Sequence, residues 1–171
     1  LVHGLLTRGR NLGAFSSGTE GFFEHFGTPY EMAQHELAAT ERMRDLGIDA
    51  PEPVEAFEYE GMGVLVLSYL RDFETLDDLP RESIERHTPT VFRDLHRMHE
   101  HGLAHGDFRC ENVLVADDEV YFIDATSVRE DAIADARAYD LACALGALEP
   151  PVGAPLALDA ASAVSHAPEL L

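Results

Sequence analysis

The stretch from His105 to Asp124, HGDFRCENVLVADDEVYFID, constrains the fold more than any other part of the chain. The runs Asn112 to Val115 and Val120 to Ile123 are short and rich in β-branched and aromatic residues. With Asp117 and Asp118 between them, they predict two strands joined by a tight turn. Asp107 and Asn112 stand at the start of the first strand and Asp124 at the end of the second, so antiparallel pairing brings all three to one end of the hairpin. A carboxylate and an amide oxygen are hard ligands that suit Mg2+. A second carboxylate, near the cation but free of it, can orient a hydroxyl and accept its proton. Asp124 and Asn112 fit the ligand role, and Asp107 fits the base. The competing reading is a solvated hairpin with incidental acids; it is disfavoured because the spacing, the hairpin and the helix upstream agree.

These residues resemble the protein-kinase-like superfamily, in which a catalytic-loop Asp is followed five residues later by an Asn and then, after a hairpin, by a metal-binding Asp. The opening His105-Gly106-Asp107 and the ending IDATSV, Ile123 to Val128, point to the atypical RIO-type kinases. Small-molecule kinases of the aminoglycoside-phosphotransferase kind share the HGD opening and are the near rival. The resemblance implies an α+β, two-lobed kinase-like fold, ATP and Mg2+ as cofactors, and a protein or a small hydroxylated molecule as phosphate acceptor. A non-catalytic kinase-like binding module is a third reading, and retention of Asp107, Asn112 and Asp124 counts against it. Arg109 stands where ordinary protein kinases have Lys and can neutralise charge on a transferring phosphoryl group; a plain surface residue is the alternative.

Upstream, Thr28 to Leu46 reads as a helix. Thr28 can cap it, Pro29 and Glu31 suit its first turn, and Gly47 stops it. Pro51 and Pro53 then force an extended connection. In the family pattern Glu36 occupies the αC glutamate position, on the nucleotide side; otherwise it is a solvated helix residue. Pro53 to Tyr59 and Gly63 to Leu70 predict a second hairpin, with VLVLSYL buried on both faces. In a kinase-like fold this strand leads into the hinge and places Ser68 and Leu70 beside the adenine. The expected division is a partial small lobe over 1–70 and a large lobe over 71–171, meeting near Tyr69 to Phe73.

The large lobe is expected to open with a helix from Arg81 to Gly102, striped by Ile84, Val91, Leu95 and Met98, with Pro89 breaking or kinking its middle. His96, His99, His101 and His105 raise a zinc alternative, but no matching Cys or His cluster follows. After Asp124 the chain passes almost directly into an apolar helix at Ala138 to Leu148, with no long activation segment. By resemblance, Asp140 on that helix accepts hydrogen bonds from the catalytic-loop backbone and, with His105, supports the loop; a simple helix N-terminal acid is the other reading. Pro150 to Leu171 reads as loop and partial helix.

Among the 171 residues, 32 are Asp or Glu and 12 are Lys or Arg, giving a formal net charge of -20; every one of the basic residues is Arg. The acids are spread along the whole chain, which resembles the style of salt-loving archaea. At molar salt a Debye length of about 3 Å screens such self-repulsion. The charge argues against generic nucleic-acid affinity, and only the family resemblance admits a ribonucleoprotein partner. No apolar run is long enough to span a bilayer and no signal peptide is evident. Cys110 and Cys143 form no CxxC pair. The expected setting is cytoplasmic, without a membrane partner. Residues Leu1 to Tyr30 hold Gly9, Gly13, Gly18 and Gly21 without phosphate-loop spacing, and Arg8 and Arg10 are the candidates there for touching an anion. Kinases bind ATP phosphates through a small-lobe lysine. The expectation is that this lysine lies upstream of Leu1, leaving the small lobe incomplete, and that the large lobe is truncated at its C-terminus.

Overall fold

The computed structural model describes residues 27–127 and 133–165. The Gly-rich stretch with Arg8 and Arg10, and Val128 at the end of IDATSV, lie outside the described residues.

Helix α1 spans Pro29–Asp45 and starts on a complete capping box: Glu31 N–H donates to Thr28 Oγ1 (3.1 Å) and Thr28 N–H donates back to Glu31 Oε2 (3.2 Å). It stops where Gly47 turns left-handed (φ +70°) and Ile48 N–H reaches back to Met43 O (3.0 Å). Strands β1 (Pro53–Tyr59) and β2 (Met62–Leu67) form an antiparallel hairpin. Its two-residue turn has both Glu60 and Gly61 at positive φ, the geometry that matches strand twist. Leu65 and Leu67 pack on Ala33 and Leu37 of α1. Gly63 is required by contact: a Cβ there would stand 1.9 Å from the backbone oxygen of Pro29.

The strand ends earlier than its apolar run implies. At Ser68 both the N–H and the Oγ turn to the backbone of Glu52 (2.8 Å each), which closes β2 at Leu67 and leaves Tyr69 exposed. Nor is β2 buried throughout, since Val66 is only partly covered.

Beyond it, β3 (Glu74–Thr75) pairs with β5 (Val113–Ala116), which pairs with β6 (Glu119–Phe122) in a three-stranded antiparallel sheet. The β5–β6 turn is Asp117-Asp118, again with both residues left-handed. Arg86 Nη2 donates to Asp118 Oδ1 (2.6 Å), tying that turn to α2 (Arg81–Glu100). Helix α2 runs unbroken through Pro89, which faces solvent, so the carbonyl left without an N–H donor can be hydrated. The short strands β4 (Leu103–Ala104) and β7 (Thr126–Ser127) pair across the loop between them.

Helix α3 covers Ile133–Val152, longer at both ends than the apolar run Ala138 to Leu148. Pro150 and Pro151 do not end the helix before them; they occupy its last turn, and Gly153 (φ +88°) makes the break. The segment after it is helical, α4 (Ala154–Ser165), where loop and partial helix were expected. The main core gathers Val91, Phe92, Leu95 and Met98 of α2 against the β5–β6 hairpin, Leu148 of α3 and Ala157 of α4. Among the described residues no helix is long and apolar enough to cross a membrane.

Candidate active site

The loop between β4 and β5 is held from below by Asp140. This carboxylate, fully buried on α3, accepts the backbone N–H of His105 (2.6 Å) and of Gly106 (2.8 Å). His99 Nε2 donates to it as a third partner (2.9 Å). A buried charge needs such donors, and this set positions the two residues immediately before Asp107. Arg137 of α3 donates in turn to His99 O. His105 is fully buried, edge-on to Phe108 and Phe122 with ring centroids 5.5 and 6.0 Å away. Burial pushes its pKa below the ordinary value despite Asp140, Asp124 and Asp107 nearby, and neither ring nitrogen has a hydrogen-bond partner among the described residues. Burial and the two ring contacts pack it beneath the loop.

Asp107 is half exposed, and its Oδ2 accepts Arg109 Nη2 at 2.5 Å. Glu111 stands 3.7 Å from the other arm of the same guanidinium. Asn112 lies in a single 3-10 turn, Cys110–Asn112, just before β5 and not in the strand. Its Nδ2 donates to Asp107 O (2.9 Å), which leaves Oδ1 as the atom of this amide that could hold a cation. Across the hairpin, Ile123 N–H donates to Asn112 O (3.1 Å), which sets Asn112 one residue from Asp124. Asp124 itself follows β6 with φ +62°. A non-glycine residue held left-handed costs on the order of 1–3 kcal/mol, and such outliers gather at functional sites.

Glu36 of α1 reaches the same region. Its pKa is raised from 4.5 to about 7, by burial first and by the Asp124 carboxylate second. No cation among the described residues offsets those two effects; the chain holds no lysine anywhere. Ser68 and Leu70 sit after β2, half-buried, and the Ser68 N–H, one of the backbone groups expected to read adenine, is already taken by Glu52 O. On the α3 side, Tyr139 and Cys143 share a hydrogen bond within electrostatic reach of Asp107 and Asp140. Burial, then that bond, pushes the Tyr139 hydroxyl up to about 12.

Among the described residues no group of histidines assembles into a metal cluster: His96 pairs with Glu100 (3.2 Å) while His99 turns to Asp140. Sequence reasoning missed His99 as a support for Asp140, because the partner lies 41 positions away and only the packing of α2 on α3 brings the two together.

Asn112 and Asp124 carry hard oxygen atoms of the type that suits a divalent cation such as Mg2+, and the Ile123–Asn112 backbone bond puts both residues at one end of the β5–β6 hairpin. A braced catalytic loop, an Asp-to-Asn bridge and a strand-ending Asp are the features of the protein-kinase-like class. A family model described as the RIO domain matches residues 26–138, about two thirds of the sequence, and the chain belongs to that family. It is also similar to the KEOPS complex subunit Bud32 of Pyrococcus abyssi (strain GE5 / Orsay), 29% identical over 114 residues that cover 65% of this chain and 51% of the relative. The chain thus spans about half the length of the curated relative it matches.

Proposed function

We propose that this chain forms the core of an ATP- and Mg2+-dependent phosphotransferase of the RIO kinase or regulatory-ATPase type. Asp107 acts as base, Asn112 and Asp124 hold the cation, Glu36 and the Ser68–Leu70 segment stand on the nucleotide side, and His105 and Asp140 support the loop. The observation that carries the reading is the Asn112 Nδ2 bond to Asp107 O, which couples the metal-side amide to the base within one short loop. Mg2+, when bound, would supply positive charge to the phosphate oxygens. Arg109, on Asp107 Oδ2, orients the carboxylate so that its other oxygen can accept a hydroxyl proton. The same guanidinium is near enough to the base to offset charge on a transferring phosphoryl group. The Pyrococcus relative is named as a complex subunit, and we propose a protein assembly as the setting for this chain too. The expected two-lobe division at residue 70 belongs to the same proposal.

The test compares two substitutions in the protein that carries this chain. Asp124→Asn should weaken Mg2+-dependent ATP binding, read by titration calorimetry, and abolish turnover, because a charged ligand is lost. Asp107→Asn should leave ATP affinity nearly unchanged while turnover falls by about 10²-fold or more, since an amide cannot accept the proton. Equal loss of binding in both variants, or full activity in both, would show the roles to be misassigned.

A further inference from the structure

Helix α3 contains a carbonyl that its own turns cannot satisfy. An α-helical C=O accepts the N–H four residues on, or three residues on where the turn tightens to 3-10. For Ala147 those positions are Pro151 and Pro150, and neither has an N–H to give. The Cys110 thiol supplies the donor instead, with Sγ 3.6 Å from Ala147 O. Burial, then the Asp77 and Glu111 carboxylates, pushes this thiol up to about 11, so it keeps its proton at neutral pH and remains a donor. Sulfur donates weakly, yet a carbonyl with no donor at all forfeits its hydrogen bond altogether. The double proline thereby reserves Ala147 O for a side chain of the catalytic loop.

The neighbours of Cys110 give this contact its consequence. Arg109, just before it, donates to Asp107 Oδ2 (2.5 Å), and Asn112, two residues on, donates to Asp107 O (2.9 Å). Cys110 opens the single 3-10 turn that presents both, in which Asn112 N–H donates to Arg109 O (2.9 Å) and Val113 N–H to Cys110 O. Ala147 stands seven residues after Asp140 on α3, nearly two full turns, so the two lie on one side of the helix about 10 Å apart. One side of α3 therefore holds the loop at two points. Asp140 takes the His105 and Gly106 N–H groups ahead of Asp107, and Ala147 O takes the Cys110 thiol behind it. The front hold uses a buried carboxylate with several donors, whereas the rear hold is one thiol that a single substitution releases.

We propose that Cys110 is a positioning residue: through Ala147 O its thiol holds the rear of the catalytic loop and so sets Arg109 and Asn112 against Asp107. The consequence for turnover rests on the phosphotransferase reading above; the hold on the loop does not. The test uses the protein that carries this chain. Cys110→Ala should speed amide hydrogen exchange at Asn112 and Val113 about fivefold, the equivalent of one net hydrogen bond, while His105 and Gly106, held by Asp140, keep their protection. Turnover of Mg2+-bound ATP, read as phosphate release, should fall by a similar factor with the KM for ATP staying within about twofold. Cys110→Ser restores a donor on a shorter bond and should recover part of both effects. Unchanged exchange at Asn112 and Val113, faster exchange that spreads equally to His105 and Gly106, undiminished phosphate release from Cys110→Ala beside an active parent, or a serine variant that exchanges no more slowly than the alanine one would each overturn the proposal. If the parent itself releases no phosphate, the phosphotransferase reading falls, and the exchange pattern alone decides whether Cys110 holds the loop.

Discussion

Asp140→Ala removes one carboxylate and strands three donors. The backbone N–H groups of His105 and Gly106 and the Nε2 of His99 all point at Asp140 from 2.6 to 2.9 Å, in a site where the carboxylate is fully buried. Hydrogen bonds to a charged acceptor contribute roughly 1.5–3 kcal/mol each, and a buried donor left without a partner costs about 1–3 kcal/mol. Taken without relaxation, three such bonds would exceed what single substitutions remove. Water entering the space left by the carboxylate should recover part of it, so the expected loss is about 3–5 kcal/mol, a large share of the ~5–15 kcal/mol that stabilises a typical domain. Asp140→Asn keeps one acceptor oxygen but turns an NH2 toward a donor, and should cost about 2–3 kcal/mol. Denaturant unfolding with an unchanged slope reads the stability. Amide hydrogen exchange reads the place, and His105 and Gly106 should lose protection before α2 does. A loss under about 1 kcal/mol for the alanine variant, or unchanged exchange at both amides, would refute the view that Asp140 holds the loop.

Gly63→Ala should lower stability by at least ~2 kcal/mol, because its Cβ would meet backbone oxygen and carbon of Pro29 at 1.9 and 2.5 Å and neither can swing aside; a melting temperature equal to the parent's would contradict the contact. Glu36 has a folded-state pKa raised from 4.5 to about 7, so between those values the folded state holds the extra proton; its favourable contribution falls as pH rises through the window and is lost above it. Glu36→Gln in metal-free buffer should therefore change little near pH 4.5 and stabilise by ~1–3 kcal/mol at pH 8, a pH trend that parallel melts of the two proteins will show or fail to show. With a formal net charge of -20, the chain should melt at higher temperature in molar KCl than in dilute buffer, and a salt-independent melt would remove the halophilic reading.

What could be read in advance was whatever depends on neighbours in sequence. The Thr28–Glu31 cap, the Asp117-Asp118 turn and the apolar stripe of α2 are each encoded within a few residues, and each appears where the pattern puts it, while the first hairpin turns one residue earlier than expected, on Glu60-Gly61 with Met62 already in β2. Readings that failed depended on distant partners or on breakers out of context. Strand β2 stops at Leu67 because Ser68 pairs with Glu52, 16 positions back, which no apolar run reports. Pro150 and Pro151 resemble a helix boundary, yet Leu148 and Val152 are both buried in the core, so packing carries α3 through them. The Asp-x4-Asn spacing was visible because the loop is short; His99 was not, because its partner lies on another helix.

The acids near the loop differ in how the fold satisfies them, and that difference separates supporting groups from working ones. Asp140 is buried with three donors, so its charge is already met within the fold. Asp107 has a cation on one oxygen only and is half exposed, so it can still meet a hydroxyl from solvent. Glu36 is pushed toward neutrality by burial and by Asp124, with no described cation to relieve it. A fold that stabilised every carboxylate would have treated Glu36 as it treats Asp140. The Asp124 carboxylate adds to the cost that burial places on an ionised Glu36, and a positive charge beside Glu36 would relieve it. Glu36, expected on the nucleotide side, thus carries an unrelieved charge cost, while Asp140 beneath the loop is met by donors from two elements.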